Sequence, residues 1–287
     1  MQNGNSPSCS STIYRGKEGY LNTTVNLIGE EKSDLVDIPV GCTDIPFIFT
    51  LMTSLPSSFN GRFGHIVYNM EAVLFLSDSS FKIVNRLFFV HNLFNLNVEP
   101  QLKLPIESAK IKEFISLCCR RSRFYMSVFI PHTGYTSAQN IKVCIKLAND
   151  SNINIEKTSI SIRKIVSYNV KEVCKRDFET IVTTYVEGVD SNHSKNIEYN
   201  LKIPKTITNI SKQNSTIIQV EYDLIVSCIP EGCHFSPKIK IPIKIGNIPL
   251  VFDKIRRSQN DDTIASEYYP GNTLTIFKNN NSKQFIE

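Results

Sequence analysis

No apolar run in this 287-residue chain approaches the roughly 20 residues that a membrane-crossing helix needs. With 41% hydrophobic residues, the composition is that of an ordinary globular protein. The first residues, Met1 to Ser11, have neither the basic nor the apolar region of a secretory signal, which points to the cytosol. Catalytic signatures are also missing. There is no Gly-x-Ser-x-Gly elbow, no Gly-rich phosphate loop ending in Lys-Ser/Thr and no His-Glu-x-x-His. The histidines (65, 91, 132, 193, 234) are scattered, and no Cys-x-x-Cys pair or zinc-like Cys/His spacing occurs. Cys228, Cys233 and His234 come nearest, but the separation of the two cysteines is looser than in a metal knuckle. No enzyme activity, cofactor or metal is therefore expected.

Eight cysteines (9, 42, 118, 119, 144, 174, 228, 233) would allow four disulfides, yet their spacing is irregular and several replace small hydrophobes in strand patterns. Buried free thiols are the expectation. The adjacent Cys118 and Cys119 precede Arg120 and Arg121, and nearby cations favour a thiolate; burial remains the plainer reading. A net charge of +5 is modest and lacks the dense basic stripe of a nucleic-acid binder. The charge is locally concentrated at Arg120, Arg121 and Arg123, and again at Lys238, Lys240 and Lys244. Each cluster is either a solvated face or a contact for an anionic partner, such as a phosphorylated tail or lipid headgroups.

What the chain has in quantity is alternation. Ile239, Ile241, Ile243 and Ile245 fall on one face of a strand, with Lys238, Lys240, Pro242 and Lys244 on the other. Pro242 cannot donate to a ladder and marks an edge or a bulge, and Gly246 and Pro249 end the run. Ile218, Val220, Tyr222, Leu224 and Val226 repeat the pattern, as do Ile141, Val143, Ile145 and Leu147. Weaker versions run over 66–76, 81–90, 124–130 and 159–168. Helix-like spacing is confined to 107–119, where a linker or a strand is expected instead. The fold class is all-β and antiparallel, and the length suggests two domains or one large sandwich.

Several segments together resemble a known family. Ile45-Pro-Phe-Ile-Phe-Thr-Leu51, Leu55-Pro-Ser-Ser-Phe-Asn-Gly61 and His65 to Leu74 resemble the second half of an arrestin N-domain. Phe129 to Val143, Ile218 to Leu224 and Ile241 to Leu250 resemble an arrestin C-domain. The family is the arrestin-domain-containing proteins, or α-arrestins, and order and spacing carry the likeness. It implies two tandem antiparallel β-sandwiches over about residues 12 to 251. The expected organisation is a disordered 1–11, a partial N-domain at 12–100, a C-domain at 101–251 and a polar tail at 252–287. The N-terminal sandwich is expected to lack its first strands, with Tyr14 to Tyr20 as a mid-domain strand and hairpin. Such a half-sandwich would expose an apolar inner face. Pro131 to Gly134 reads as a hairpin turn and Leu55 to Gly61 as a polar loop.

The resemblance implies a non-enzymatic cytosolic adaptor that binds cytoplasmic parts of membrane receptors or transporters in endocytic sorting, ubiquitin-dependent trafficking and signalling. Recruitment to plasma membrane or endosomes, and contact with ubiquitin-ligase machinery, belong to the same expectation. The tail has no Pro-Pro-x-Tyr motif; Tyr268-Tyr-Pro-Gly271 has the wrong order. On charge alone, Arg120, Arg121, Arg123, Lys238, Lys240 and Lys244 are the candidate cargo contacts. The alternatives are an extracellular adhesive β-sandwich with paired cysteines and glycosylated Asn22, Asn149, Asn209 or Asn214, or a truncated non-functional copy.

Overall fold

A computed structural model describes residues 13–29, 35–115, 121–205, 210 and 213–252. The chain divides into two units, Met1–Asn22 with Thr53–Phe252, and Thr23–Met52 with Asp253–Glu287. In the second, the described residues form neither strand nor helix, and nearly all their side chains are exposed. Among the described residues there is no α-helix, only two 3-10 turns at Leu96–Val98 and Pro100–Lys103. No helix there is long and apolar enough to cross a membrane.

The first unit is built from strands. Its N-terminal part holds β1 (Phe59–Gly61), β2 (Gly64–Ile66), β3 (Tyr68–Phe75) and β4 (Phe81–Phe88). Then follow β5 (Ile106–Ile115), β6 (Arg121–Ile130), β7 (Gly134–Thr136), β8 (Asn140–Asp150) and β9 (Ile155–Val170). The last are β10 (Val173–Val189), β11 (His193–Lys202), β12 (Ile218–Pro230) and β13 (Lys238–Gly246). A five-stranded sheet runs in the order β10-β9-β12-β13-β7 and a four-stranded sheet in the order β11-β8-β6-β5.

Alternation explains why these two sheets form a sandwich. Phe124, Met126, Val128 and Ile130 of β6 and Ile141, Val143, Ile145 and Leu147 of β8 are buried on one sheet. Ile160 and Ile162 of β9, Val220 to Val226 at every second position of β12, and Ile239 to Ile245 of β13 are buried on the other. Two apolar faces must cover one another, and each fully buried aliphatic side chain contributes about 1.5–3 kcal/mol. Across the five-stranded sheet, Arg163 of β9 donates to Asp223 of β12 at 2.8 Å, directly opposite in register. Its guanidinium stacks on Phe178 of β10, 5.0 Å from the ring centre.

The region read as linker or strand at 107–119 is strand β5 as far as Ile115, and Cys118 and Cys119 lie outside the described residues. Pro131 to Gly134 is not a hairpin turn: the chain leaves β6, crosses to the other sheet as β7 and pairs parallel with β13 before returning as β8. Pro242 sits as expected of an edge. The Lys244 N–H points away from β12 and donates to the Thr133 carbonyl, so Pro242, two residues earlier, would direct its missing N–H the same way.

Leu55 to Gly61 is not a polar loop: Leu55, Pro56, Ser57 and Phe59 are buried, and Phe59–Gly61 is strand β1, with Asn60 exposed. The Ser57 Oγ accepts from the Asn92 N–H at 3.0 Å, and the Pro56 carbonyl accepts from the Tyr68 hydroxyl at 2.6 Å. Tyr14 to Tyr20, expected as a strand and hairpin, forms no strand and pairs in no sheet. β1 and β2 form a small hairpin against the ends of β9 and β10, where Phe63 meets Tyr168 edge-on at 5.6 Å and Arg62 reaches Asp177. β3 and β4 make a separate hairpin whose faces both stay exposed beyond Tyr68.

Candidate functional site

The two sheets meet edge to edge along β5 and the approach to β13. Phe114 packs edge-on against His234 at 5.4 Å, Lys112 stands 6.0 Å from the Phe235 ring centre, and the Lys110 Nζ donates to the Lys238 carbonyl at 3.4 Å. The two segments therefore run antiparallel alongside one another. Lys110 and Lys112 lie opposite Met126 and Phe124 of β6, on the face of β5 that carries buried Phe114. Their methylene stems cover the core margin while the ammonium groups reach water. An inward-facing charge on an edge strand also blocks unwanted pairing.

Lys238 and Lys240 add two further cations from the outward row of β13. Lys110, Lys112, Lys238 and Lys240 have no ion-pair partner among the described residues, where the pairs engage other cations. Several ammonium groups along one seam raise the local concentration of anions, and each offers charge-assisted hydrogen bonds to carboxylate or phosphate.

The other candidates fare differently. Lys244 sits 3.9 Å from Glu99 and 5.8 Å from the Phe94 ring centre, so its charge is already shared. Arg123 lies 3.6 Å from Glu113 across the β5–β6 pair; both side chains are well exposed, and such a pair is worth about 0–1 kcal/mol. Arg121 opens β6 opposite Ile115, and Arg120 lies outside the described residues. Lys110 and Lys112 were overlooked in the sequence. The signal was there, because Lys110-Ile-Lys112 repeats the Lys238-Ile-Lys240 alternation, but Phe114 and Ile115 gave the segment a helical rhythm.

Cys42, Cys144, Cys174, Cys228 and Cys233 are all unpaired, yet Cys228 alone among them is buried, while Cys42, Cys174 and Cys233 are exposed. The expectation of buried thiols thus fails for these three: Cys174 stands on the edge strand β10 and Cys233 in the loop before β13. Burial pushes the Cys228 thiol up to about 11, against a hydrogen bond with Thr158 that lowers it. Among the described residues no three His, Cys, Asp or Glu side chains gather as ligands.

Comparison with known families matches residues 2–97 to the arrestin (or S-antigen) N-terminal domain and residues 120–250 to the arrestin (or S-antigen) C-terminal domain. The chain belongs to the arrestin-domain family. Among its relatives, arrestin domain-containing protein 17 of Caenorhabditis elegans is 28% identical over 246 residues, 80% of this chain and 54% of the relative. Arrestin domain-containing protein 1 of Homo sapiens is 25% identical over 252 residues, 86% of this chain and 55% of the relative. Arrestin domain-containing protein 4 of Mus musculus is 26% identical over 249 residues, 86% of this chain and 58% of the relative. The chain thus spans a little over half the length of these relatives. In this arrestin-domain protein Lys238 and Lys240 of the cationic seam lie within the C-terminal match, whereas Lys110 and Lys112 fall between the two matches.

Proposed function

We propose that the chain is a non-enzymatic cytosolic adaptor that grips cytoplasmic segments of membrane receptors or transporters and works in endocytic sorting, ubiquitin-dependent trafficking and signalling. The observation that carries this reading is the N-then-C succession of arrestin domains along one chain. Residues 12–100 and 101–251 are the proposed domains, followed by a polar tail at 252–287. The sequence given carries no Pro-Pro-x-Tyr motif, and contact with ubiquitin-ligase machinery is part of this reading. Acidic or phosphorylated cargo is read by the unpaired lysines of the seam, with Arg120, Arg121, Arg123 and Lys244 in supporting positions.

Charge reversal tests the cargo site. In the variant K238E/K240E, affinity for acidic peptides and for anionic vesicles should fall by about tenfold or more, with each lysine near a charged surface worth about 1 kcal/mol. Unchanged binding at low salt removes these lysines from the site. Unfolding the unreduced protein and titrating its thiols distinguishes the cytosolic adaptor from an extracellular module: free thiols throughout support the first and paired ones the second.

A further inference from the structure

Residues 13–22 form neither strand nor helix and belong to the same compact unit as the C-terminal sandwich, and one side chain dominates their attachment. The Glu18 carboxylate receives hydrogen bonds from the Tyr20 hydroxyl at 2.8 Å, the Ser215 Oγ at 3.1 Å and the Thr216 Oγ1 at 2.9 Å. It also accepts from the backbone N–H groups of Thr216, at 3.1 Å, and Ile217, at 3.3 Å. Successive amides with flanking hydroxyls, all aimed at one anion, make an anion-binding concavity in which no cation pairs with Glu18 among the described residues. The carboxylate comes from a residue nearly two hundred positions earlier in the chain.

The concavity is held in shape by groups other than Glu18. Asn169 at the end of β9 donates its N–H to the Ile217 carbonyl at 2.7 Å and its Nδ2 to the Thr216 carbonyl at 3.2 Å. The Ile218 N–H donates to the buried Ser215 Oγ at 3.0 Å, and the Asn214 Nδ2 donates to the Ser54 carbonyl at 2.9 Å. These bonds fix the turn from behind and leave its donors facing Glu18. The rest of the 13–22 segment is held lightly: Gly16 lies close enough to Val170 and Ile217 that a Cβ would stand 3.0 Å and 3.4 Å from their side chains. Most of its other residues are exposed.

We propose that the turn at 215–217 is a carboxylate-binding site that residues 13–22 occupy in cis through Glu18, so that an acidic extended segment of a partner competes for it. Binding of such a segment frees residues 13–22 and uncovers Val170 and Ile217, which gives the incoming chain an apolar contact beside its carboxylate. The site is separate from the lysine seam and does not depend on the adaptor reading. Its ligand is an extended peptide carrying Glu or Asp, and the strap itself shows the spacing: the carboxylate two residues before an aromatic hydroxyl.

The test uses the full chain and a fluorescent peptide copying residues 13–22. The E18Q chain, whose site is vacated, should bind this peptide about tenfold or more tightly than the unaltered chain. A peptide with Gln in place of Glu18 should not bind. Equal affinity for both chains, or indifference to the Glu of the peptide, overturns the proposal. A measurement on the unaltered chain serves if E18Q fails to fold. The amide protons of Thr216 and Ile217 should shift together as Glu18 titrates, and amides that stay fixed through that titration overturn the proposal.

Discussion

β12 and β3 are written in the same alternating grammar and meet different environments. In β12, Val220, Tyr222, Leu224 and Val226 are all buried because β9 and β13 flank the strand and a second sheet lies across its face. In β3, Met70, Val73, Leu74 and Phe75 are exposed, although β4 pairs with the strand along its whole length. Pairing saturates the backbone, but a second layer is what removes side chains from water. The distal hairpin is apolar on both faces, with Val73, Ile83, Phe75 and Phe81 on one and Leu74 and Val84 on the other. Its two phenyl rings lie 6.5 Å apart and outside any core.

Truncating Leu224 to Ala should sharpen this contrast most. Leu224 is fully enclosed, and the change should destabilise the first unit by about 2–5 kcal/mol, seen as a lower midpoint in urea unfolding. Next comes Gly188→Ala in β10, where an added Cβ would fall 1.7 Å from the Ile155 carbonyl oxygen. The β9–β10 pair must separate there, at a cost of about 1–3 kcal/mol, and faster amide exchange near Ile155 and Val189 would report it. By contrast, F75S/F81S in the exposed hairpin should move stability by no more than about 0.5 kcal/mol while lowering aggregation by light scattering. A loss as large as that at Leu224 would mean that the hairpin is covered in solution.

Thiol chemistry divides the molecule along the same line. In the native protein Cys174 and Cys233 should react with a disulfide reagent promptly, whereas Cys228, enclosed and with its thiol raised to about 11, should react after unfolding only. The smallest effect concerns His132. Burial lowers its pKa, and a hydrogen bond with the Gly134 carbonyl partly opposes this. The unfolded imidazole then protonates first, so its contribution to stability is complete above about pH 6.5 and declines as the pH falls below it. H132Q should flatten that part of the stability profile.

The sandwich strands were legible because burial on one face alone imposes a period of two, and Ile239 to Ile245 and Ile218 to Val226 obey it without a break. Pro242 was legible for a similar reason, since a residue without an N–H tolerates few places in a sheet. Two features were hidden. The crossing at Pro131 to Gly134 looks like a turn because Pro and Gly punctuate both, and which sheet receives the next strand depends on a partner far along the chain. The seam lysines of β5 were masked by neighbours at helical spacing. Their meeting with Lys238 is a product of tertiary packing that no local pattern encodes.

The short β7 joins a sheet completed only by residues that follow more than a hundred positions later, when Lys244 to Gly246 arrive beside Gly134 to Thr136. A chain emerging from the ribosome therefore cannot seal its second layer until nearly all of this unit has been synthesised. Long-range closure of this kind is slow, and a nascent protein that waits with open sheet edges has strong need of a chaperone.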